Sequence, residues 1–426
     1  QFILSQNGDG QFFERHVLIG GTAHIGNGDV IENSTVIIEK GKIVAVGPSE
    51  LVIVNKKRAN IYNIEGKHVY PAFILPNSTL GLAEIDAVRA TRDEREVGVL
   101  NPNVRTQIAY NTESIVASTI RSNGILFAQI TPRGGLIAGT SSIMKLDGWN
   151  WEDATYLKDD GIHLYWPELY NHDYWAHNHS FTSGDISDEN KKQQKVLKSV
   201  NLLIDFFEEA RQYNNLKTKE TDLRLESLRD LFAGKKTLYI HVNGANSIKE
   251  AVLFAKNYGV KKVVLVGASE SWRITDFIVN NNIPIILGRI HRLPNHKDDD
   301  IDQPYKTPKI LKEAGILFCL DYHGDMERMG SRNLPFLAGT ATTYGLTKEE
   351  SLELITLNPA KILGIDNLTG SLETGKEANL FISSGDALDM LSHNIEILFL
   401  MGKELTLENH QTKLYNKYLE KFDLKK

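Results

Sequence analysis

The chain has a single cysteine in 426 residues, Cys319, set in the apolar run GILFCL. One thiol excludes an internal disulfide framework and any zinc site built on thiolates, and its neighbours predict a buried strand position. Such a chain tolerates an oxidising or a reducing compartment. No apolar run reaches the roughly 20 residues that a membrane-spanning helix needs. Positive charge is not in excess either: the net charge is -6, with both signs mixed along the chain. That leaves no cationic face for nucleic acid and no polybasic membrane anchor, so the expected partners are small molecules or protein. There is no P-loop and no Rossmann glycine triad, although Thr131-Pro-Arg-Gly-Gly135 could form a glycine-rich anion-binding turn. The chain begins with Gln1 and not Met. A removed signal peptide would give such a start and implies a periplasmic or secreted protein; truncation would also give it, and the cytoplasm stays open as the alternative.

What is present is organised in three parts. From His16 to Val46, short β-like runs are joined by Gly-Asn-Gly-Asp and Glu-Lys-Gly-Lys turn signals. GSLETGKEANLFIS and EILFLMGKEL near the other end have the same character, which predicts one small β domain built from both ends. The middle alternates helix and strand. Helical spacing runs from Lys191 to about Gln212, and strands are expected at Thr237–Val242, Lys262–Val266, Ile283–Gly288 and Ile316–Leu320. Ser247-Ile-Lys-Glu250 reads as a capping box opening a helix through about Tyr258. In the first half, Val69–Ile74, Gly124–Ile130, Ser141–Leu146 and Ile162–Trp166 are the strand candidates.

Two segments read as insertions. Gly148–Glu189 is dense in Trp and Tyr and holds His172, His177 and His179, the last two in H-x-H spacing; it reads as an aromatic lid, an oligomer contact or, less simply, a metal cluster. His291–Thr307 carries Asp298, Asp299 and Asp300 and reads as a solvated acidic loop or a cover for the site. In the charged run Glu84–Glu96, Arg89 and Arg92 could meet a substrate carboxylate.

The stretch PAFILPNST at Pro71–Thr79, the N-terminal β segment and the run from Gly345 to Leu388 together resemble the imidazolonepropionase-like branch of the amidohydrolase superfamily. The most specific part is Gly345–Leu380, which follows G-L-T-x-x-E-A-L-x-x-x-T-x-N-P-A-x-x-L-G and then G-S-x-x-x-G-K-x-A-D-L, with Asn379 where the family has Asp. Covering about residues 16 to 405, the resemblance implies an α/β protein. A distorted (β/α)8 TIM barrel at 69–365 would carry a small β-sandwich composed of 16–68 and 366–405, with terminal extensions at 1–15 and 406–426.

A family member with one metal holds it through two histidines after the first strand, histidines after strands five and six, and an Asp after strand eight. Carried over, the first two positions fall on Asn77 and Thr79, and Leu75 stands where an Asp is usual. His241 matches the strand-five histidine, Val266 or Gly267 occupies the strand-six position, and Asp321 matches the strand-eight Asp. The resemblance thus implies Asp321 and His241 as catalytic residues; Asn77 and Thr79, at the replaced positions, and Arg89, from the charged run, are the expected substrate contacts. His241 and Asp321 by resemblance, and His323 by its place beside Asp321, are the expected ligands of one divalent ion such as zinc, in a site that could equally be empty. His291 and Asp325 could join an alternative cluster. The implied function is hydrolysis of carbon-nitrogen bonds other than peptide bonds through a reduced or rearranged metal site. The alternative is a non-catalytic relative that binds or scaffolds, either one a possible homo-oligomer.

Overall fold

The computed structural model describes residues 15–55, 57–85, 87–169, 186–216, 220–324 and 326–424. Five N-terminal strands, β1 (Arg15–His24), β2 (Val30–Glu39), β3 (Lys42–Pro48), β4 (Asn60–Asn63) and β5 (His68–Pro71), open the chain. Barrel strands β6 (Phe73–Ser78), β7 (Ile125–Ile130), β8 (Ile137–Lys145), β9 (Thr155–Tyr165), β10 (Thr237–Val242), β11 (Val263–Gly267), β12 (Ile285–Leu287) and β13 (Phe318–Leu320) follow. The chain then adds β14 (Leu380–Ser383), β15 (Ile395–Leu400) and β16 (Lys403–Leu405).

The terminal strands share one eight-stranded sheet ordered β16-β15-β14-β5-β1-β2-β3, with β4 paired to β1. The join between the two ends is the antiparallel pair β14·β5, running from Leu380 opposite Pro71 to Ser383 opposite His68. This sheet buries its own core, including Leu18, Val36, Ile38, Leu380 and Phe399, separate from that of the barrel. Its β2–β3 and β15–β16 turns use one device. Lys40 and Gly41 in the first, and Met401 and Gly402 in the second, have positive φ throughout, as two-residue hairpins that match strand twist require.

The second sheet is the distorted barrel, ordered β13-β12-β11-β10-β9-β8-β7-β6. Closure between β13 and β6 is made by the segment after Gly345: Leu320 N donates to Leu354 O at 3.0 Å and Ile74 N to Ile355 O at 2.9 Å. The distortion lies in the first half of the series. Strand β8 runs antiparallel to both β7 and β9, so β7, β8 and β9 form a meander in place of two βα units. A helix cannot fit in the six residues between Ile130 and Ile137, and Gly134 and Gly135, at φ 87° and 71°, turn the chain there.

The helix Ile186–Asn215 is longer than its periodicity predicts, while Thr347 and Glu350, in Thr-x-x-Glu spacing, make a capping box. Ser247 and Glu250 do not make theirs. That helix spans Ala245–Asn257 with Gly244 at its N-cap and no side-chain cap of its own. Glu168 and Glu270, from neighbouring loops, accept from Asn243, Gly244 and Ala245 N–H groups instead. Cys319 is fully buried, as expected. Among the described residues no helix is long and apolar enough to cross a membrane.

Candidate active site at the barrel mouth

The mouth is assembled from the ends of β6, β7, β9, β10 and β13. The ladder between β6 and β7 is irregular between Leu75 and Ser78, and Asn77 adopts φ 51° inside that irregularity. Asparagine tolerates this left-handed conformation, and a bulge of this kind re-aims a side chain. The Asn77 N–H, displaced from the ladder, donates to Gln129 Oε1 at 3.1 Å, and its side-chain Nδ2 donates to Asp321 Oδ2 at 2.7 Å. Asp321 is fully buried; its Oδ1 accepts from both the backbone N–H of His323 at 3.1 Å and His323 Nδ1 at 2.7 Å. A carboxylate holding Nδ1–H leaves Nε2 as the basic nitrogen of the neutral ring.

Arg133, from the β7–β8 turn, completes this side. It donates to Asn77 Oδ1 at 3.1 Å and Asn77 O at 2.8 Å, and pairs with Glu327 at 3.3 Å. Burial opposes its charge, and Glu327, Tyr165 and Asp321 together outweigh burial and hold it charged. Thr79 donates to Glu327 and accepts from Arg328.

Opposite lies an aromatic lattice set by strand register, in which Tyr239 faces His163 and His241 faces Tyr165. Each pair stacks, with ring centroids 4.7 Å and 4.0 Å apart and planes 13° apart in both. His163 Nδ1 and His241 Nε2 are 2.9 Å apart and share one proton, while the buried His163 Nε2 has no hydrogen-bond partner among the described residues. Burial pushes both imidazoles well below the usual histidine range; His163 and Arg133 add to this at His241, and Arg133 at His163. Beneath them Asp160 accepts from Ser141 at 2.8 Å, Gln129 at 2.7 Å and Tyr239 at 2.9 Å. Gln129 therefore ties this layer to Asn77.

A cavity of about 960 Å³ adjoins the mouth, lined in part by Tyr165, Trp166, Glu168, Lys195 and His296. Burial raises the Glu168 carboxyl to about 7, against hydrogen bonds from Gly244, Asn243 and Ser247 and with Glu270 adding to the rise.

Of the residues singled out in the sequence, Asn77, Thr79, Asp321 and His323 are linked by these contacts, and His241 lies within electrostatic reach of His323. Arg89 is exposed on the short helix Arg89–Thr91, and Arg92 pairs with Glu94 at 2.6 Å. His291 bonds Thr340 at 2.7 Å. His172, His177, His179 and Asp325 lie outside the described residues. Sequence reasoning passed over His163, Gln129, Asp160 and Glu327, and treated Arg133 only as part of a turn. Polar residues at alternate positions of apolar strands, His163 with Tyr165 and Tyr239 with His241, were the available signal.

The donors at the metal positions do not fit a zinc-type ion. Asn77 turns its amide nitrogen to Asp321, its oxygen is held by Arg133, and His241 spends Nε2 on His163. Of the two candidates for the strand-six position, Val266 is apolar, and Gly267 has φ 87° with a Cβ there lying 2.7 Å from Asn243 Oδ1; neither supplies a ligand. Among the described residues no three His, Cys, Asp or Glu side chains group so as to hold a metal ion.

The amidohydrolase family pattern matches residues 305–407. An imidazolonepropionase of Shewanella frigidimarina (strain NCIMB 400) is 35% identical over 80 residues, which span 19% of this chain and 18% of that protein. An amidohydrolase from Thermotoga maritima MSB8 superposes with a TM-score of 0.77 at 21% identity, covering 92% of this chain and 99% of that one. Molinate hydrolase, at 12% identity, gives 0.57 over 92% and 95%, and A. niger ochratoxinase, at 14%, gives 0.54 over the same shares. Sequence likeness to the amidohydrolase family lies in the C-terminal segment, and nearly the whole length shares the fold of these solved structures.

Proposed function

We propose that the protein is a hydrolase of carbon-nitrogen bonds other than ordinary peptide bonds, acting on a small molecule at the barrel mouth with a metal site reduced relative to the family. The observation that carries this reading is the Asp321–His323 pair, a buried carboxylate directly after the last barrel strand holding an imidazole by Nδ1 at 2.7 Å. Active sites of barrel enzymes gather at this end of the strands. In the proposed reaction His323 Nε2 takes a proton from water as the water oxygen bonds to the substrate carbonyl carbon. The carbon-nitrogen bond then breaks, and His323 returns that proton to the departing nitrogen. Asp321 orients the ring and stabilises its charged form; Arg133, held beside Asn77, would stabilise negative charge developing on the substrate. The names of the relatives, imidazolonepropionase, molinate hydrolase and ochratoxinase, support a hydrolytic reading.

The test is a panel of small amides, lactams, cyclic imides and cyclic amidines assayed with the wild type, Asp321→Asn and His323→Gln. Turnover by the wild type that falls at least a hundredfold in both variants supports the reading. Equal rates in all three would overturn it. A second reading has its own observation: both oxygens of Asp321 are engaged by protein donors, as in a settled structural network. A non-catalytic binding barrel would be stabilised by a ligand from that panel, in a thermal shift, without consuming it.

A further inference from the structure

The turn Thr131-Pro-Arg-Gly-Gly135 has no counterpart in the five-position metal pattern, yet it enters the mouth where that pattern would act. The cause is the inversion of β8. Since β8 descends from the mouth, its link to β7 is a tight turn at that end, closed by Gly134 and Gly135 and anchored by Arg133 N donating to Glu94 O at 2.7 Å. A Cβ on Gly135 would lie 2.8 Å from Val99 O, so the turn is also fitted to the loop around it. Arg133 is thereby aimed at Asn77, the first of the replaced histidine positions.

We infer that the Arg133 guanidinium, with Glu327 as its counter-ion, takes the electrostatic place of the divalent cation at this mouth. Its contacts are those of a cation set among former ligand positions: the side-chain and backbone oxygens of Asn77, and the carboxylate of Glu327 that also accepts from Thr79. The Asn77 amide relays the arrangement, its oxygen toward Arg133 and its Nδ2 toward Asp321. A metal between Asn77 and Asp321 would meet an amide N–H₂ group, which has no lone pair to offer, and the only ligating atom of that amide is already held. Asp321 thus receives positive character from a hydrogen-bond donor where a metalloenzyme would supply an ion. On this view Asn77 and Thr79 at the early histidine positions, the missing strand-six ligand at Val266 or Gly267 and the presence of Arg133 are one exchange, a fixed charge on the chain in place of a bound one. Arginine suits that role because it stays charged when enclosed and its planar donors can satisfy several oxygens at once.

The inference rests on the reading that this mouth is the working site, and its test measures zinc affinity and not turnover, so the two can fail separately. Zinc is titrated against a competing chelator in four proteins: wild type, N77H/T79H, R133M/E327Q and the combination of all four changes. Neutralising Arg133 and Glu327 together avoids leaving one buried charge without the other. The wild type is expected to hold less than one tight zinc per chain, and N77H/T79H to gain modestly. The four-fold variant is expected to bind zinc at least a hundredfold more tightly than N77H/T79H. Equal affinity in those two proteins, or a wild type already saturated with tightly held zinc, would overturn the inference. Should R133M/E327Q fail to fold, R133Q/E327Q, which keeps hydrogen-bond donors toward Asn77, replaces it in the same comparison with the same expected outcome. Arg133→Lys, which keeps the charge, is expected to leave zinc affinity at the wild-type level; a hundredfold gain there would equally overturn it.

Discussion

Asp321 receives donors on both oxygens, from Asn77 on one and His323 on the other, and this fixes what an amide there would do. In Asp321→Asn, one half of the new side chain must turn N–H₂ toward an existing donor. The expected loss is about 1 to 3 kcal/mol of folding stability, checked by the denaturant midpoint, together with loss of whatever turnover the wild type shows. Glu168 gives a pH signature of opposite origin, since burial raises its folded pKa from 4.5 to about 7. The folded state therefore binds the proton more tightly than the unfolded chain. Its contribution is fully present below about pH 4.5, declines as the pH rises, and is lost above about pH 7, a change of up to about 3 kcal/mol. Glu168→Gln should flatten the stability profile between pH 5 and 8. A melting-temperature slope identical to that of the wild type would contradict the assignment.

At the scale of elements, the two terminal hairpins depend on each other. Gly402 N donates to Ala378 O at 3.0 Å, and Ala378 N to Gly41 O at 2.8 Å, so one strand-end segment stitches both tips together. A Cβ on Gly402 would lie 2.7 Å from the Gly41 Cα, and φ there is 75°. Gly402→Ala should cost about 1 to 3 kcal/mol, from the left-handed backbone and the backbone contact combined. Gly364→Ala is the control. It shares a positive φ of 72° but has nothing within 4 Å of its Cβ, so thermal melts should show a smaller loss, about 1 kcal/mol. The inverted strand β8 acts at this same scale, since a helical crossover after β7 would have left the mouth without Arg133.

Across the whole molecule, the C-terminal segment ties the barrel to the terminal sheet. Leu354 and Ile355 bridge the last and first barrel strands, the buried Asn358 donates to Phe318 O at 2.9 Å, and β14 pairs with β5 just before the barrel begins. The match to the family is carried by a segment with this closing role. Asn358→Ala would leave a strand carbonyl without its donor, and the expected cost is about 1 to 3 kcal/mol in a denaturant melt. Cutting the chain after residue 365 would strip Leu380, Phe381 and Phe399 from the two cores and leave β5 without β14. The shortened protein is expected to be insoluble or to lack a cooperative melt; a sharp transition near that of the full chain would argue that the barrel stands alone.

The sequence by itself determined the α/β class, the strands around His241 and Asp321, the terminal hairpins and the Thr347–Glu350 capping box, because each depends on local periodicity, turn chemistry or a short spacing. It also set Asn77 and Thr79 at the positions where the family it resembles carries histidines. What only the tertiary structure decided was how residues far apart in the chain are used. Whether β8 runs up or down is set by pairing with two neighbours and not by its own composition, and that direction alone brings Arg133 to Asn77. The helix at Ala245 takes its caps from Glu168 and Glu270, more than 20 residues away on either side, so its local Ser-x-x-Glu pattern misled. His163 acquires its role only through register, which sets it against Tyr239 and beside His241. A hydrogen bond across the barrel depends on the closed sheet, and no window of sequence contains both of its ends.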